Sequence, residues 1–94
     1  MFDIRRTESG VVVMSGRLDA SQAEKARAVL RTIAESCVID FADLEYISSL
    51  GLGVLLEAQK RLNDAGAGLT LRNLSEHLRE VFHLAGFHSV FDIE

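Results

Sequence analysis

Asp40-Phe41-Ala42-Asp43-Leu44-Glu45-Tyr46-Ile47-Ser48-Ser49-Leu50-Gly51-Leu52-Gly53-Val54-Leu55-Leu56 is the stretch on which the architecture turns. It continues the apolar, β-branched run Cys37 to Phe41, crosses a polar stretch from Ala42 to Ser49, and enters a leucine-rich run. The first part reads as a buried strand and the last as a helix from about Leu50 to Asn63. Leu52, Leu55, Leu56 and Leu62 give that helix a wide apolar stripe, and Gly66 is placed to end it in a left-handed conformation.

Working outward, Ala23, Ala26, Leu30 and Ile33 recur at helical spacing upstream. That helix starts either at Asp19 with Gln22 or at Ser21 with Glu24, since both pairs have capping-box spacing. A helix between two strand-like runs predicts a crossover with parallel strands. Val11 to Met14 is a continuous apolar run, which predicts a strand covered on both faces. Phe2 and Ile4 alternate with polar neighbours, and the turn Thr7 to Gly10 joins the two as an antiparallel hairpin. Downstream, Leu69 to Leu71 reads as a short strand and a third helix opens at Asn73 or Ser75. Leu74, Leu78, Val81, Phe82 and Ala85 form its stripe, Gly86 stops it, and Val90 to Ile93 closes the chain as a strand. The expected fold is one α/β domain over residues 1–94, in the order β-β-α-β-α-β-α-β. Its mixed sheet has about five strands, with three helices mainly on one face.

Composition removes several functional classes. Hydrophobic residues at 48% and charged residues at 26% exclude a disordered chain. Fourteen acids against ten bases leave a net charge of −4, the wrong sign for a phosphate backbone, so no nucleic-acid partner is expected. No apolar run approaches the roughly 20 residues that span a bilayer, and Met1 to Arg6 lacks a signal-peptide core. Cys37 is alone and lies in an apolar run, which suits a reducing compartment. A cytoplasmic location without membrane insertion is the expectation.

No metal site or cofactor is indicated. His77 and His83 stand about 240° apart around one helix, and His83 and His88 have no Cys or carboxylate at ligand spacing. Solvated histidines are the reading. Gly51-Leu52-Gly53 lacks the lysine and spacing of a P-loop; glycines there let the loop pack closely against the sheet. Ser49 is the expected helix N-cap. A hydroxyl at a helix N-terminus is also a good phosphorylation site, because the backbone N–H groups and the dipole accommodate added negative charge.

The stretch from Ser48 resembles the central motif of the STAS domain family (sulphate transporter and anti-sigma factor antagonist), usually Asp-Ser-Ser-Gly-Leu-Gly before a leucine-rich helix. Gly16-Arg17-Leu18-Asp19 resembles the family's Gly-x-Leu-Asp at the end of the second strand, and Leu71 to Ser75 with Leu84 to Phe87 resembles its last helix and flanks. Aligned on Gly51-Leu52-Gly53, the family's aspartate falls on Ser48, its first serine on Ser49, and its phospho-acceptor serine on Leu50. The resemblance implies a non-catalytic, bacterial anti-sigma factor antagonist. Such a protein binds an anti-sigma factor that is an ATP-dependent serine kinase, is released by phosphorylation, and is restored by a phosphatase. It implies a contact surface at Asp19, Ser48, Ser49, Leu50 and Gly51. Ser49 is the lead phosphorylation candidate and Ser48 the second, or the chain carries no phosphoswitch. A STAS accessory subunit docking on a lipid-transport type ATPase is the alternative. An enzyme or a nucleotide-binding module using the Gly51–Gly53 turn is a third, disfavoured for want of a nearby general base or phosphate-binding cation.

Overall fold

Right-handed crossovers that always step in one direction across a sheet leave every helix on the same side, and this chain takes three such steps. The computed structural model describes all of residues 1–94. The strands are β1 (Phe2–Arg6), β2 (Val12–Leu18), β3 (Cys37–Ile47), β4 (Leu69–Arg72) and β5 (Asp92–Ile93). The helices are α1 (Ala23–Leu30), α2 (Ser49–Asp64) and α3 (Glu76–Leu84), with short 3-10 turns at Ala20–Gln22 and Phe87–Ser89. The five strands lie side by side in chain order; β1 and β2 are antiparallel, and the other three pairings are parallel. The expected element order and mixed sheet are therefore present.

One covered face dictates the burial pattern. Val12 of β2 lies opposite Ile39 of β3, which lies opposite Leu71 of β4, and all three are buried. The next row, Val13, Asp40 and Arg72, is only half-buried. The expectation that Val11 to Met14 is covered on both faces is corrected here, because no helix crosses behind the sheet. Apolar β-branched residues on the open face reflect strand preference rather than enclosure.

Strand β3 is much longer than the run Cys37 to Phe41, and it absorbs most of the polar stretch Ala42 to Ser49. Phe41, Leu44 and Ile47 are all buried although they are three residues apart. The register shifts twice, so that Gly16 lies opposite Leu44 and Leu18 opposite Ile47. Between these rows β3 spends three residues where β2 spends two. Bulges of this kind hide the period-2 alternation by which a strand is recognised.

Helix ends also depart from expectation. Asp19 caps the 3-10 turn, so α1 itself begins at Ala23 and ends before Ile33, which is buried beyond it. Ser75, and not Asn73, caps α3: its Oγ accepts from the Leu78 N–H at 3.1 Å. On α2 the buried stripe is Val54, Leu55, Ala58, Gln59 and Leu62, while Leu52 is half-buried and Leu56 exposed. On α3, Leu78 and Phe82 are buried, but Val81 is half-buried and Ala85 exposed. Only Asp92 and Ile93 pair as β5, since Phe87 to Ser89 coil before it. Gly66 does end α2 as expected, at φ +80: the Ala67 N–H reaches the Leu62 carbonyl and the Gly66 N–H reaches that of Asn63.

Candidate functional site

The carboxyl ends of β2 and β3 meet the start of α2, and there the chain gathers the residues expected at the contact surface. The Ser48 N–H donates to the Leu18 carbonyl at 2.8 Å, which brings Ser48 beside Asp19. Ser48 is extended at φ −86, ψ 169, and its Oγ accepts from the Gly51 N–H at 3.1 Å. Ser48 is thus the N-cap of α2, which corrects the expectation for Ser49. Ser49 is the first helical residue, is exposed, and keeps its hydroxyl out of the cap. The Ser48 N–H is taken by the end of β2 and its hydroxyl oxygen by the cap, so the uncommitted hydroxyl is one residue later.

Gly51 and Gly53 play opposite parts. A Cβ on Gly51 would stand 2.8 Å from Leu18 Cγ and 2.9 Å from Ile47 Cγ1, so the glycine is what allows α2 to start against the sheet. A Cβ on Gly53 would meet nothing within 4 Å, so close packing of the loop explains the first glycine and not the second. Leu50 lies between these features with 56% of its surface exposed. Leu50→Ser should therefore change the urea midpoint of unfolding very little, as surface substitutions usually stay within about 0.5 kcal/mol. A large loss of stability would place Leu50 in the core and break the alignment that puts it at the acceptor position.

Asp19 is pinned on the neighbouring rim. Its Oδ1 accepts from the Ser21 hydroxyl at 2.7 Å and the Ser21 N–H at 3.1 Å. Those bonds, the hydroxyl's first, hold its carboxyl below the usual range, with Arg17 adding a smaller pull. Arg17 and Tyr46, which the sequence reading did not single out, complete this rim. They pair across β2 and β3, and the guanidinium carbon lies 4.3 Å from the ring centroid. The pairing depends on the bulged register, which no local spacing announces.

The remaining candidates lie elsewhere. Cys37 is buried at the other end of β3, its Sγ 3.3 Å from the Gly10 carbonyl oxygen, and burial pushes its thiol up. All three histidines are exposed, with the rings of His83 and His88 4.5 Å apart. No helix is long and apolar enough to cross a membrane.

The geometry can be set beside known proteins. The family model described as "Mlab, STAS domain" matches residues 2–92. The anti-sigma-B factor antagonist of Bacillus subtilis (strain 168) is 33% identical over 95 residues, taking in 97% of this chain and 87% of that protein. The structure of the anti-sigma factor antagonist SpoIIAA in its unphosphorylated form matches with a TM-score of 0.70 at 25% identity, over 89% of this chain and 83% of that one. An anti-sigma-factor antagonist (STAS) domain protein from Planctomyces limnophilus shares the fold, with a TM-score of 0.80 at 24% identity over 100% of this chain and 90% of that one. A near full-length family match, a relative named for antagonism of an anti-sigma factor and a shared fold lead to one assignment: the chain belongs to the STAS domain family.

Proposed function

We propose that this chain is a non-catalytic, cytoplasmic partner-switching protein that binds an anti-sigma factor with serine kinase activity and thereby frees a sigma factor. Phosphorylation at Ser49 breaks that complex and a phosphatase restores it. The observation that carries this reading is the division of labour between two serines. Ser48 is committed to capping α2, whereas Ser49 is exposed at the first helical position. A phosphate there meets the positive end of the helix dipole, so the modification need not unfold its own site. It also sets a dianion among Asp19, Leu50 and the α2 start, where desolvating it against a partner is costly. SpoIIAA, a similar protein solved both in its unphosphorylated form and in the phosphorylated form, supports this reading by likeness.

Ser49→Asp should fold normally and bind the partner at least about tenfold more weakly, which is about 1.4 kcal/mol. Ser49→Ala should bind as well as wild type, resist the switch and keep its stability, because the cap belongs to Ser48. Ser48→Ala should instead lose about 0.5–2 kcal/mol of stability. Titration calorimetry and denaturant unfolding separate these outcomes. Affinity capture from the native host, followed by phosphopeptide mapping after incubation with the captured kinase and ATP, tests the reading itself. Phosphate confined to Ser48 would overturn the Ser49 assignment.

A second reading, docking on a transporter ATPase without a phosphate switch, is favoured by Leu50, an apolar residue where the family's acceptor serine falls. Capture of such an ATPase and no phosphate anywhere in this loop would establish it in place of the first.

A further inference from the structure

The contact surface carries a cation that makes no close ion pair within the chain. Of ten Lys and Arg residues, Lys25, Arg27, Arg31 and Arg72 pair with carboxylates. Arg61 donates to the carbonyls of Leu30 and Ile33, and Arg79 to that of Glu94. Arg17 has neither kind of partner, and of the cations left over it alone stands at the end of β2 beside Asp19 and Ser48. Its position follows from the register. Leu18 and Ile47, the last pair of β2 and β3, send their side chains into the core. Arg17 and Tyr46, the pair before them, therefore project to the open face of the sheet, at the edge where α2 begins.

Stacking on Tyr46 covers one face of the guanidinium and leaves its N–H edge free. The contact holds the side chain against the ring, so an incoming group that meets it there finds the fork oriented and incurs a smaller entropy cost. The fork fits a planar carboxylate through two parallel hydrogen bonds. A phosphate is a poorer fit: Asp19, two residues on and held in its charged form by Ser21, repels a dianion more than a monoanion, and no second cation stands beside Arg17 to offset that. Arg and Tyr are also the residue types most often found at the energetic centre of protein interfaces.

We propose that Arg17, stacked on Tyr46, is the specificity-determining residue of this surface and receives an Asp or Glu carboxylate from the partner protein. This rests on the anti-sigma factor reading above. It also deepens it, by naming the residue through which the charge of the partner is read.

The test uses the intact chain and the anti-sigma factor captured with it, both purified, with calorimetry at low and high salt. Arg17→Glu should weaken binding at least about tenfold and Arg17→Lys by a smaller factor, with melting temperatures near wild type. The loss should shrink at high salt. An Asp or Glu to Lys change at one exposed site of the anti-sigma factor should restore binding to Arg17→Glu while weakening binding to wild type. Arg17→Glu binding within twofold of wild type overturns this assignment alone and leaves the antagonist reading standing. A loss that is independent of salt, and that no charge reversal on the partner rescues, overturns it also. A wild-type chain that binds no anti-sigma factor overturns the antagonist reading, and Arg17's role with it.

Discussion

Phe82→Ala is expected to cost about 3–5 kcal/mol of folding stability. Phe82 has no exposed surface and sits at the centre of an aromatic cluster. Its ring meets Phe41 edge-on at 5.9 Å, Phe91 at 5.8 Å and Phe87 at 6.5 Å between centroids. Phe41 belongs to the middle of the sheet, and Phe87 and Phe91 to the segment that leads into β5. Removing the ring therefore opens a cavity where three parts of the fold meet, and forfeits edge-to-face contacts worth about 0.5–1.5 kcal/mol per pair beyond area burial. Against a total stability of about 5–15 kcal/mol the loss is large. Urea unfolding checks it, and a midpoint within error of wild type would show that α3 does not seal the core through this residue.

Gly51→Ala and Gly53→Ala are expected to move stability in opposite directions, although the two glycines are two residues apart in the same helix. A methyl group on Gly51 enters the van der Waals shells of Leu18 and Ile47, and overpacking of this kind costs about 1–3 kcal/mol. Because those two residues end β2 and β3, the strain falls on the bond from Ser48 to Leu18, so affinity for the partner should fall as well. A methyl group on Gly53 meets only solvent, and replacing glycine inside a helix should add about 0.5–1 kcal/mol. Equal effects at the two positions would mean that α2 does not approach the sheet as closely as the structure has it.

What the sequence made legible follows from how local each signal is. Ala23, Ala26 and Leu30 of α1, Leu78 and Phe82 of α3, the glycine stop of α2 and the hairpin rest on neighbours within a few residues and are legible, whereas Val81 and Ala85 share the spacing of the α3 stripe without its burial. The second half of β3 was not legible, because Phe41, Leu44 and Ile47 reach the core only through two shifts against β2. The same shifts hid the pairing of Arg17 with Tyr46, and with it half of the rim. Ser48 and Ser49 were both visible as hydroxyls at a helix start. Which of them caps depends on where β3 hands the chain over, and β3 runs on to Ile47. The leucine-rich run points to Leu56 as part of the apolar stripe, whereas the buried side of the helix passes through Ala58 and Gln59 in its place. The Gln59 side chain is buried because its Oε1 accepts from the Leu69 N–H at 2.7 Å and its Nε2 donates to the Val90 carbonyl at 2.9 Å.

The order of the strands bears on how the chain assembles. Since β1 to β5 lie side by side in sequence order, no strand has to be inserted between two that have already paired. A growing chain can form the β1–β2 hairpin, then add each helix and strand to the free edge, so that every new piece closes a loop of modest length. The parts that build the contact surface, β2, β3 and α2, are all in hand by Asp64. The last thirty residues then fill the far side of the sheet without reopening that surface. Vectorial growth from the ribosome therefore suits this topology, since the residues of the recognition end emerge before those of β4, α3 and β5.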